Sequence, residues 1–297
     1  MTLIYRKNRI NKIVKNWKFK KVHDLMVEKK LRDNDFLNFK HAIKNYICRA
    51  ININYIENDK LFIKKLDESK KNLLNITPNG GVVPKREFHL EYNVVLREWA
   101  KIVKKFTKQK PNLLRLFRNT PNIRVKFGNE IKSNVHRPLN TSLPHSDAWV
   151  EGPWGMNCFF PIIGDAKNNN LIYYEPKIFR ENFLSTAKTY GEMQWVLKYY
   201  NKVRFSPKIG RIYISDYALV HNTNRKKNSG TRISIDTTIF IGNHKPHKDR
   251  LKEYRNKIPN VGIDEFIDAG QYQAEKPAEK VSTFSHYTSK VLKTIKL

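Results

Sequence analysis

The chain has 297 residues, of which 40% are hydrophobic and 12% aromatic, so it can bury a core and wholesale disorder is excluded. Its 57 Lys and Arg residues against 27 Asp and Glu give a formal net charge of +30, which favours anionic partners such as nucleic acid, an anionic membrane or a phosphorylated substrate. Two cysteines, Cys48 and Cys158, exclude a disulfide framework and a cysteine-based zinc site, and they fit a reducing cytoplasm.

The positive charge is spread over the whole length of the chain. A composition heavy in Lys, Asn and Ile is typical of AT-rich coding, which accounts for Lys in place of Arg but not for the scarcity of acidic residues. Because a nucleic-acid binder usually gathers its charge in one patch, nucleic acid is the less favoured partner.

The first 21 residues have no apolar signal segment, and no run approaches the ~20 apolar residues of a membrane span. We expect a cytoplasmic protein without a membrane span; the sequence indicates no oligomeric state.

Helical periodicity dominates the first 80 residues. Apolar residues at three- and four-residue steps predict amphipathic helices that begin near Lys12 and continue over 31–51 and 60–74. The stretch 75–81, with Pro and two Gly, breaks this pattern. We therefore predict a helical N-terminal flank over residues 1–80, packed against a catalytic core.

The core is predicted over residues 81–243, with one more helix at 87–106 and a short helical piece at 111–117. From residue 122 the apolar period changes to two, which indicates strands. Many short strands with Gly, Pro and Asn turns favour a sandwich or jelly roll, mainly β with an α flank (α+β). A helical insertion is expected at about 178–200, and 244–297 is predicted as a polar tail packed on the core. The predicted strands are 123–127, 156–163, 171–174, 203–205, 210–214 and 232–241.

A His and an Asp two residues apart, His145 and Asp147, follow Pro144 in a segment of strand-like composition. Residues two apart point to the same side of a strand, so these two supply two-thirds of a 2-His-1-carboxylate face for Fe(II). His221 is the candidate third ligand, because strands distant in sequence can be neighbours in a jelly roll. The alternatives are a hydrogen-bonded pair at a strand end and a histidine in a turn.

Arg232 begins the last predicted strand, and Ser234 faces the same side two residues on. A guanidinium with a neighbouring hydroxyl can hold a carboxylate through charge-assisted hydrogen bonds. A 2-oxo acid that chelates the metal would place its far carboxylate there. Asn157 is expected on a strand next to His145 and Asp147, where it binds the 2-oxo acid or the substrate, or is only a strand-end amide.

Taken in order, His145-Ser146-Asp147, His221 and Arg232-Ile233-Ser234 resemble the HxD…H…RxS signature of Fe(II)/2-oxoglutarate-dependent dioxygenases. The resemblance implies a double-stranded β-helix (jelly-roll) core, Fe(II) as cofactor, and 2-oxoglutarate and O₂ as co-substrates. Stretches 157–162 and 231–236 look most like the StrG-like and phytanoyl-CoA-hydroxylase-like branch of that superfamily. Asp147 supplies the carboxylate ligand, so a halogenase, whose family has a small residue there, is disfavoured.

The sequence therefore predicts a 2-oxoglutarate- and Fe(II)-dependent dioxygenase that hydroxylates a small or conjugated metabolite, sugar-like or phosphorylated. The basic charge leaves an oxygenase acting on nucleic acid or protein as an alternative. A second alternative is a jelly roll without oxygenase activity, either a cupin-type isomerase or a carbohydrate-binding module. A cupin-type isomerase needs no Arg-x-Ser carboxylate clamp, so Arg232 and Ser234 discriminate against it.

Further residues near these motifs have two interpretations each. Trp149 and Trp154 flank the His145–Asp147 turn, where they wall a substrate pocket or pack in the core. Arg124 and Lys126 could meet an anionic substrate, although solvated charges on an edge strand are expected. Three histidines without suitable neighbours in sequence are not counted as ligands: His136, His244 and His247.

Overall fold

A computed structural model describes residues 2–69, 75–77, 79–83, 88–118, 120–128 and 141–245. His136, His247 and all but the first two residues of the predicted tail lie outside the described residues. None of the described helices combines the length and the apolar composition needed to cross a membrane. Cys48 and Cys158 are buried free thiols.

Antiparallel strands in two sheets form the centre of the fold, and helices cover one side of it. The helices are α1 (Leu3–Trp17), α2 (Asp33–Ala50), α3 (Asp59–Glu68), α4 (His89–Thr107) and α5 (Ala148–Glu151). The strands are β1 (Lys20–His23), β2 (Met26–Lys30), β3 (Leu114–Phe117), β4 (Asn122–Lys126), β5 (Met156–Gly164), β6 (Asn169–Pro176), β7 (Tyr200–Lys202), β8 (Arg211–Asp216), β9 (Val220–Arg225) and β10 (Arg232–Ile241).

The larger sheet has the order β1-β2-β8-β5-β10, and both β3 and β4 pair with the outer side of β10. The smaller sheet has the order β7-β6-β9. Pairing between strands far apart in sequence, within two antiparallel sheets, is the arrangement of a jelly roll. The predicted fold class is therefore confirmed.

The larger sheet has one apolar face and one polar face because its central strands alternate. On β10, Ile233 and Ile235 join an apolar cluster with Phe39 of α2 and Trp99 of α4. Phe39 also stacks on Phe160 of β5, with ring centroids 5.8 Å apart. Each such fully buried side chain contributes about 1.5–3 kcal/mol of transfer free energy. Helix packing on this face directs the alternate residues of β10 toward the smaller sheet.

Gly164 fixes how β5 ends beside the start of β10. Its φ is +90°, and a Cβ built there would lie 2.0 Å from the carbonyl oxygen of Thr231. Only glycine adopts this backbone without strain and without a clash. The close approach sets the position of the next residue, Arg232.

Several predicted elements differ from those observed. The predicted helical flank contains the β1–β2 hairpin, which extends the larger sheet by pairing β2 with β8. The stretch 111–117 is helical only over Pro111–Leu113 and then forms β3, because it pairs with β10. The predicted strand at 203–205 is wrong: these residues have no regular secondary structure, and the strand in this region is β7 just before them. The insertion at 178–200 contains the 3₁₀ helices Glu181–Leu184 and Gly191–Tyr199.

Candidate functional site

His145 and His221 lie side by side although they are far apart in sequence. Their backbones form an isolated antiparallel bridge, in which each N–H donates to the other's carbonyl oxygen at 2.8 Å. The two imidazole rings have centroids 4.5 Å apart, and both side chains are buried. His221 lies on β9, in the smaller sheet.

Asp147 reaches the two histidines from a turn rather than from a strand. It is the residue that precedes α5, with helical backbone angles, so the expected strand geometry for His145 and Asp147 is wrong. Ser146 secures this turn: its hydroxyl donates to the carbonyl of Tyr217 at 2.6 Å and accepts from the backbone N–H of Ala148 at 3.1 Å. The ligand atoms of His145, Asp147 and His221 all lie within 4.8 Å of one another.

Neighbouring groups orient two of these three side chains. The Nδ1–H of His145 donates to the carbonyl oxygen of Leu143 at 2.8 Å, which leaves Nε2 as the ring nitrogen with a free lone pair. Nδ2 of Asn157 donates to Oδ2 of Asp147 at 2.7 Å. The ring of Tyr190 stacks on that of His145 at 4.3 Å.

Burial shapes the charge state of the cluster. It lowers the pKa of His145 well below its usual range, and nearby His221 lowers it further. Burial also raises the pKa of Asp147, an effect that His221 opposes. A neutral imidazole and a carboxylate that lacks a counter-charge are the forms that a divalent cation binds.

A cavity of about 210 Å³ lies between the two sheets, with the three residues on its wall. The larger sheet contributes polar residues from β4, β5 and β10, and the smaller sheet contributes residues from β6 and β9. Besides His145, Asp147 and His221, the cavity is lined by polar residues that include Asn122, Arg124, Lys126, Glu151, Asn157, Tyr190, Arg232, Ser234 and Asp236.

Arg232 and Ser234 also line this cavity. Nη1 of Arg232 donates to the backbone oxygen of Asn169 at 3.2 Å and to Oδ1 of Asn170 at 3.3 Å. Burial lowers the pKa of Arg232 to about 10. Nε of Arg232 and Oγ of Ser234 are buried and have no hydrogen-bond partner within the described part of the chain, and the same holds for Oδ1 of Asn157.

Arg124 and Lys126 were expected to be solvated charges on an edge strand, and this expectation is wrong. They lie on β4 and line the cavity beside Ser234 and Arg232, their respective partners in the register with β10. Arg124 is held by Asp236, with Nε 2.8 Å from Oδ1. The alternation Ile-Arg-Val-Lys did predict two faces for this strand, but not that the polar face lines an internal cavity.

The two tryptophans do not line the cavity. Trp149 is fully buried in a neighbouring apolar cluster, and its indole N–H donates to the carbonyl of Phe183 at 2.8 Å. Trp154 stacks on His244 at 4.1 Å, away from the cluster. The aromatic ring at the site is that of Tyr190, which no spacing in the sequence connects to His145.

The residues present fit an Fe(II) ion and a carboxylate ligand. Two imidazoles and one carboxylate are the protein ligands of non-haem Fe(II) sites with open positions. The unpartnered polar atoms of Arg232 and Ser234 lie in the same cavity and can bind a carboxylate without breaking a contact. Asn157 is already engaged with Asp147, which makes it a positioning group for that carboxylate.

No family model matches the chain, and no curated protein matches it. Solved structures similar to it include the non-heme alpha ketoglutarate dependent carbocyclase SnoK from nogalamycin biosynthesis, at 10% identity and a TM-score of 0.44, with 77% of this chain and 83% of that chain covered. An N-substituted L-amino acid dioxygenase from Burkholderia ambifaria is 13% identical with a TM-score of 0.38, and the match covers 79% of this chain and 87% of that chain. HygX from Streptomyces hygroscopicus, with nickel and 2-oxoglutarate bound, is 11% identical with a TM-score of 0.37, and the match covers 74% of this chain and 84% of that chain. With TM-scores below 0.5, these similarities leave the chemistry of the cavity to be inferred from its own residues.

Proposed function

We propose that the protein is an Fe(II)- and 2-oxoglutarate-dependent oxygenase that hydroxylates a small polar metabolite. His145, Asp147 and His221 would hold the iron, and Arg232 with Ser234 would hold the far carboxylate of 2-oxoglutarate. One observation carries the proposal: a three-ligand cluster shares one cavity with a buried guanidinium and a hydroxyl that have hydrogen-bonding atoms to spare.

Iron with 2-oxoglutarate and O₂ supplies the oxidising chemistry for attack on an unactivated C–H bond. The protein contributes placement. Leu143 fixes the tautomer of His145, and Asn157 holds Oδ2 of Asp147 while Oδ1 lies 4.0 Å from Nε2 of His145. Arg232 orients the co-substrate by its far end.

The rest of the cavity wall favours a hydrophilic substrate. Asn122 and Arg124 are both bonded to Asp236, and Glu151 accepts a hydrogen bond from Tyr217 at 2.6 Å. Such charged and amide groups suit hydroxyl, amine or phosphate groups of a sugar-like or phosphorylated molecule better than a lipid. A cavity of this size admits a small molecule or one projecting group of a larger one.

The test is an anaerobic titration of the protein with Fe(II) and then 2-oxoglutarate. We expect the weak visible charge-transfer band of a chelated 2-oxo acid in the wild type and its loss in His145→Ala. His41→Ala removes an exposed histidine outside the cluster and should leave the band unchanged. Absence of the band from the wild type, or its persistence in His145→Ala, would refute the assignment.

A further inference from the structure

A second cavity, of about 330 Å³, lies between α1, the turn after α5 and the first part of the insertion at 178–200. Arg6 of α1 lies on its wall, together with Pro153 and Trp154 of the turn and Phe179 of the insertion. None of the described residues lines both this cavity and the one that holds the metal ligands. The second cavity is therefore a separate place, to which the proposed function assigns nothing.

The guanidinium of Arg6 has two hydrogen-bond donors left over on one edge. Arg6 is 2% exposed. Its Nη1 and Nη2 both donate to the carbonyl oxygen of Pro153 at 2.9 Å, and Nη1 also donates to Oδ1 of Asp216 at 2.7 Å. Of the five N–H donors of the planar fork, one on Nη2 and the one on Nε then remain, and Nε has no partner within the described part of the chain. These two donors lie on the same edge of the plane, which is the arrangement that binds a carboxylate or phosphate through two parallel hydrogen bonds.

Two aromatic rings pack against this guanidinium. Cζ of Arg6 lies 5.5 Å from the ring centroid of Trp154 and 5.3 Å from that of Phe179. Such cation–π contacts hold the plane of the guanidinium, so its free edge keeps its direction. Because both rings also lie on the wall of the cavity, a ligand bound to that edge would have aromatic surface beside it.

The positive charge at Arg6 is only partly balanced. Arg6 and Arg9 are both buried and share one buried carboxylate, Asp216, whose two oxygens accept from them at 2.7 and 3.0 Å. Burial lowers the pKa of His244 to about 4, and Arg9 and Arg6 lower it further, as expected of a positive potential. An uncompensated buried charge is costly, and a bound anion would offset that cost. Glu181, exposed at the second cavity, is the acidic group that opposes an anion there.

We propose that the second cavity binds a small organic anion, with a carboxylate or phosphate on the Nε–Nη2 edge of Arg6 and an apolar or aromatic body against Trp154 and Phe179. The proposal goes beyond the proposed function and does not depend on iron or 2-oxoglutarate, since it concerns other residues. A ligand there would join α1 to the turn after α5, the short helix that begins directly after Asp147.

The test is a calorimetric titration of metal-free protein with benzoate, phenyl phosphate and benzyl alcohol. We expect both anions to bind and the neutral alcohol to bind about 10-fold or more weakly, because it lacks the charge-assisted hydrogen bonds. The stronger of the two anions identifies carboxylate or phosphate as the preferred group. Failure of both anions to bind the wild type, or equal binding of benzyl alcohol, would overturn the proposal and leave Arg6 as a structural contact of α1.

Three variants locate the bound anion. Arg6→Lys keeps a positive charge but loses the two-donor edge, and it should weaken both anions about 10-fold. Glu181→Gln removes the opposing exposed carboxylate and should strengthen both about two- to fivefold. Thr186→Trp places a large ring at an exposed position on the cavity wall and should prevent binding. Since Arg6 also holds Asp216, thermal unfolding checks Arg6→Lys, and the two variants at exposed positions decide the matter if that protein does not fold.

Arg232→Met is the matched control, because it removes a buried guanidinium from the cavity between the two sheets. It should leave the binding of both anions unchanged. Loss of anion binding in Arg232→Met, with normal binding in Thr186→Trp and Glu181→Gln, would place the anion in the cavity between the sheets and overturn the proposal.

Discussion

Asn157 and Asp147 are joined by a hydrogen bond that divides the two oxygens of the carboxylate between two tasks. Oδ2 accepts from Nδ2 of Asn157 at 2.7 Å, while Oδ1 lies 4.0 Å from Nε2 of His145. A carboxylate held at one oxygen presents the other in a fixed direction, which is the usual role of a group that orients a metal ligand.

Loss of this contact should weaken metal binding. We expect Asn157→Ala to lower the affinity for Fe(II), or for Co(II) as a probe, about 10- to 100-fold, because Asp147 is then free to rotate. Anaerobic metal titration measures the change. Asn122→Ala removes another cavity amide, one bonded to Asp236, and should retain wild-type metal affinity. Normal metal affinity with weaker 2-oxoglutarate binding in Asn157→Ala would instead favour a direct contact with the co-substrate.

Two serines should respond in opposite ways to substitution by alanine. Ser234→Ala should leave the ligand-free protein as stable as the wild type, because its buried hydroxyl has no partner among the described residues, yet weaken 2-oxoglutarate binding about 5- to 10-fold. Ser146→Ala breaks two contacts of the turn at Asp147 and should lower the free energy of unfolding by about 1–3 kcal/mol. Denaturant unfolding and ligand titration separate the two effects. A destabilised Ser234→Ala protein would contradict this expectation.

Tyr190 should slow the loss of metal by covering His145. Its ring stacks on the imidazole and is 6% exposed, so Tyr190→Ala should open the cluster to water. We expect release of metal to a chelator to become several times faster in this variant, measured by stopped-flow absorbance. Tyr190→Phe keeps the ring and should behave like the wild type. If Tyr190→Phe releases metal as fast as Tyr190→Ala, and both faster than the wild type, the hydroxyl rather than the ring slows metal release.

Gly164 should be among the least replaceable glycines. Gly164→Ala forces a Cβ into the carbonyl of Thr231 at a φ of +90°, and we expect a loss of about 1–3 kcal/mol or more in the free energy of unfolding. Gly191→Ala is the comparison, because its added Cβ would meet only Thr189 at 3.6 Å and its φ is not positive. Thermal and chemical unfolding of both variants check the difference.

Local sequence predicted those parts of the fold that depend on local alternation. The strand at 232–241 was predicted correctly because Arg-Ile-Ser-Ile-Asp already separates an apolar face from a polar one. The β1–β2 hairpin could not be predicted in the same way, since its strands are fixed by pairing with β8, whose residues lie far along the chain. Such pairing overrides helical periodicity.

In the candidate site too, the sequence predicted what depends on local pattern and not what depends on pairing between distant segments. Residue types and order were enough to single out His145, Asp147 and His221, but not the turn that carries Asp147. The polar face of β4 was assigned to solvent because a single strand does not reveal what covers it. The register between β4 and β10, which places Lys126 opposite Arg232, is needed to assign Lys126 to the cavity.

The backbone bridge between His145 and His221 joins the segment that carries His145 to the strand β9 that carries His221. The segment 141–145 is joined to β9 by the two reciprocal backbone hydrogen bonds of His145 and His221 and by one from the N–H of Thr223 to the carbonyl of Thr141 at 3.4 Å. An ion that bound both imidazoles would act as a reversible cross-link between two residues separated by the strands β5 to β8, which lowers the entropy of the open state. Amide hydrogen exchange at His145 and His221 should therefore slow when metal is added, so cofactor loading would be readable at two backbone positions.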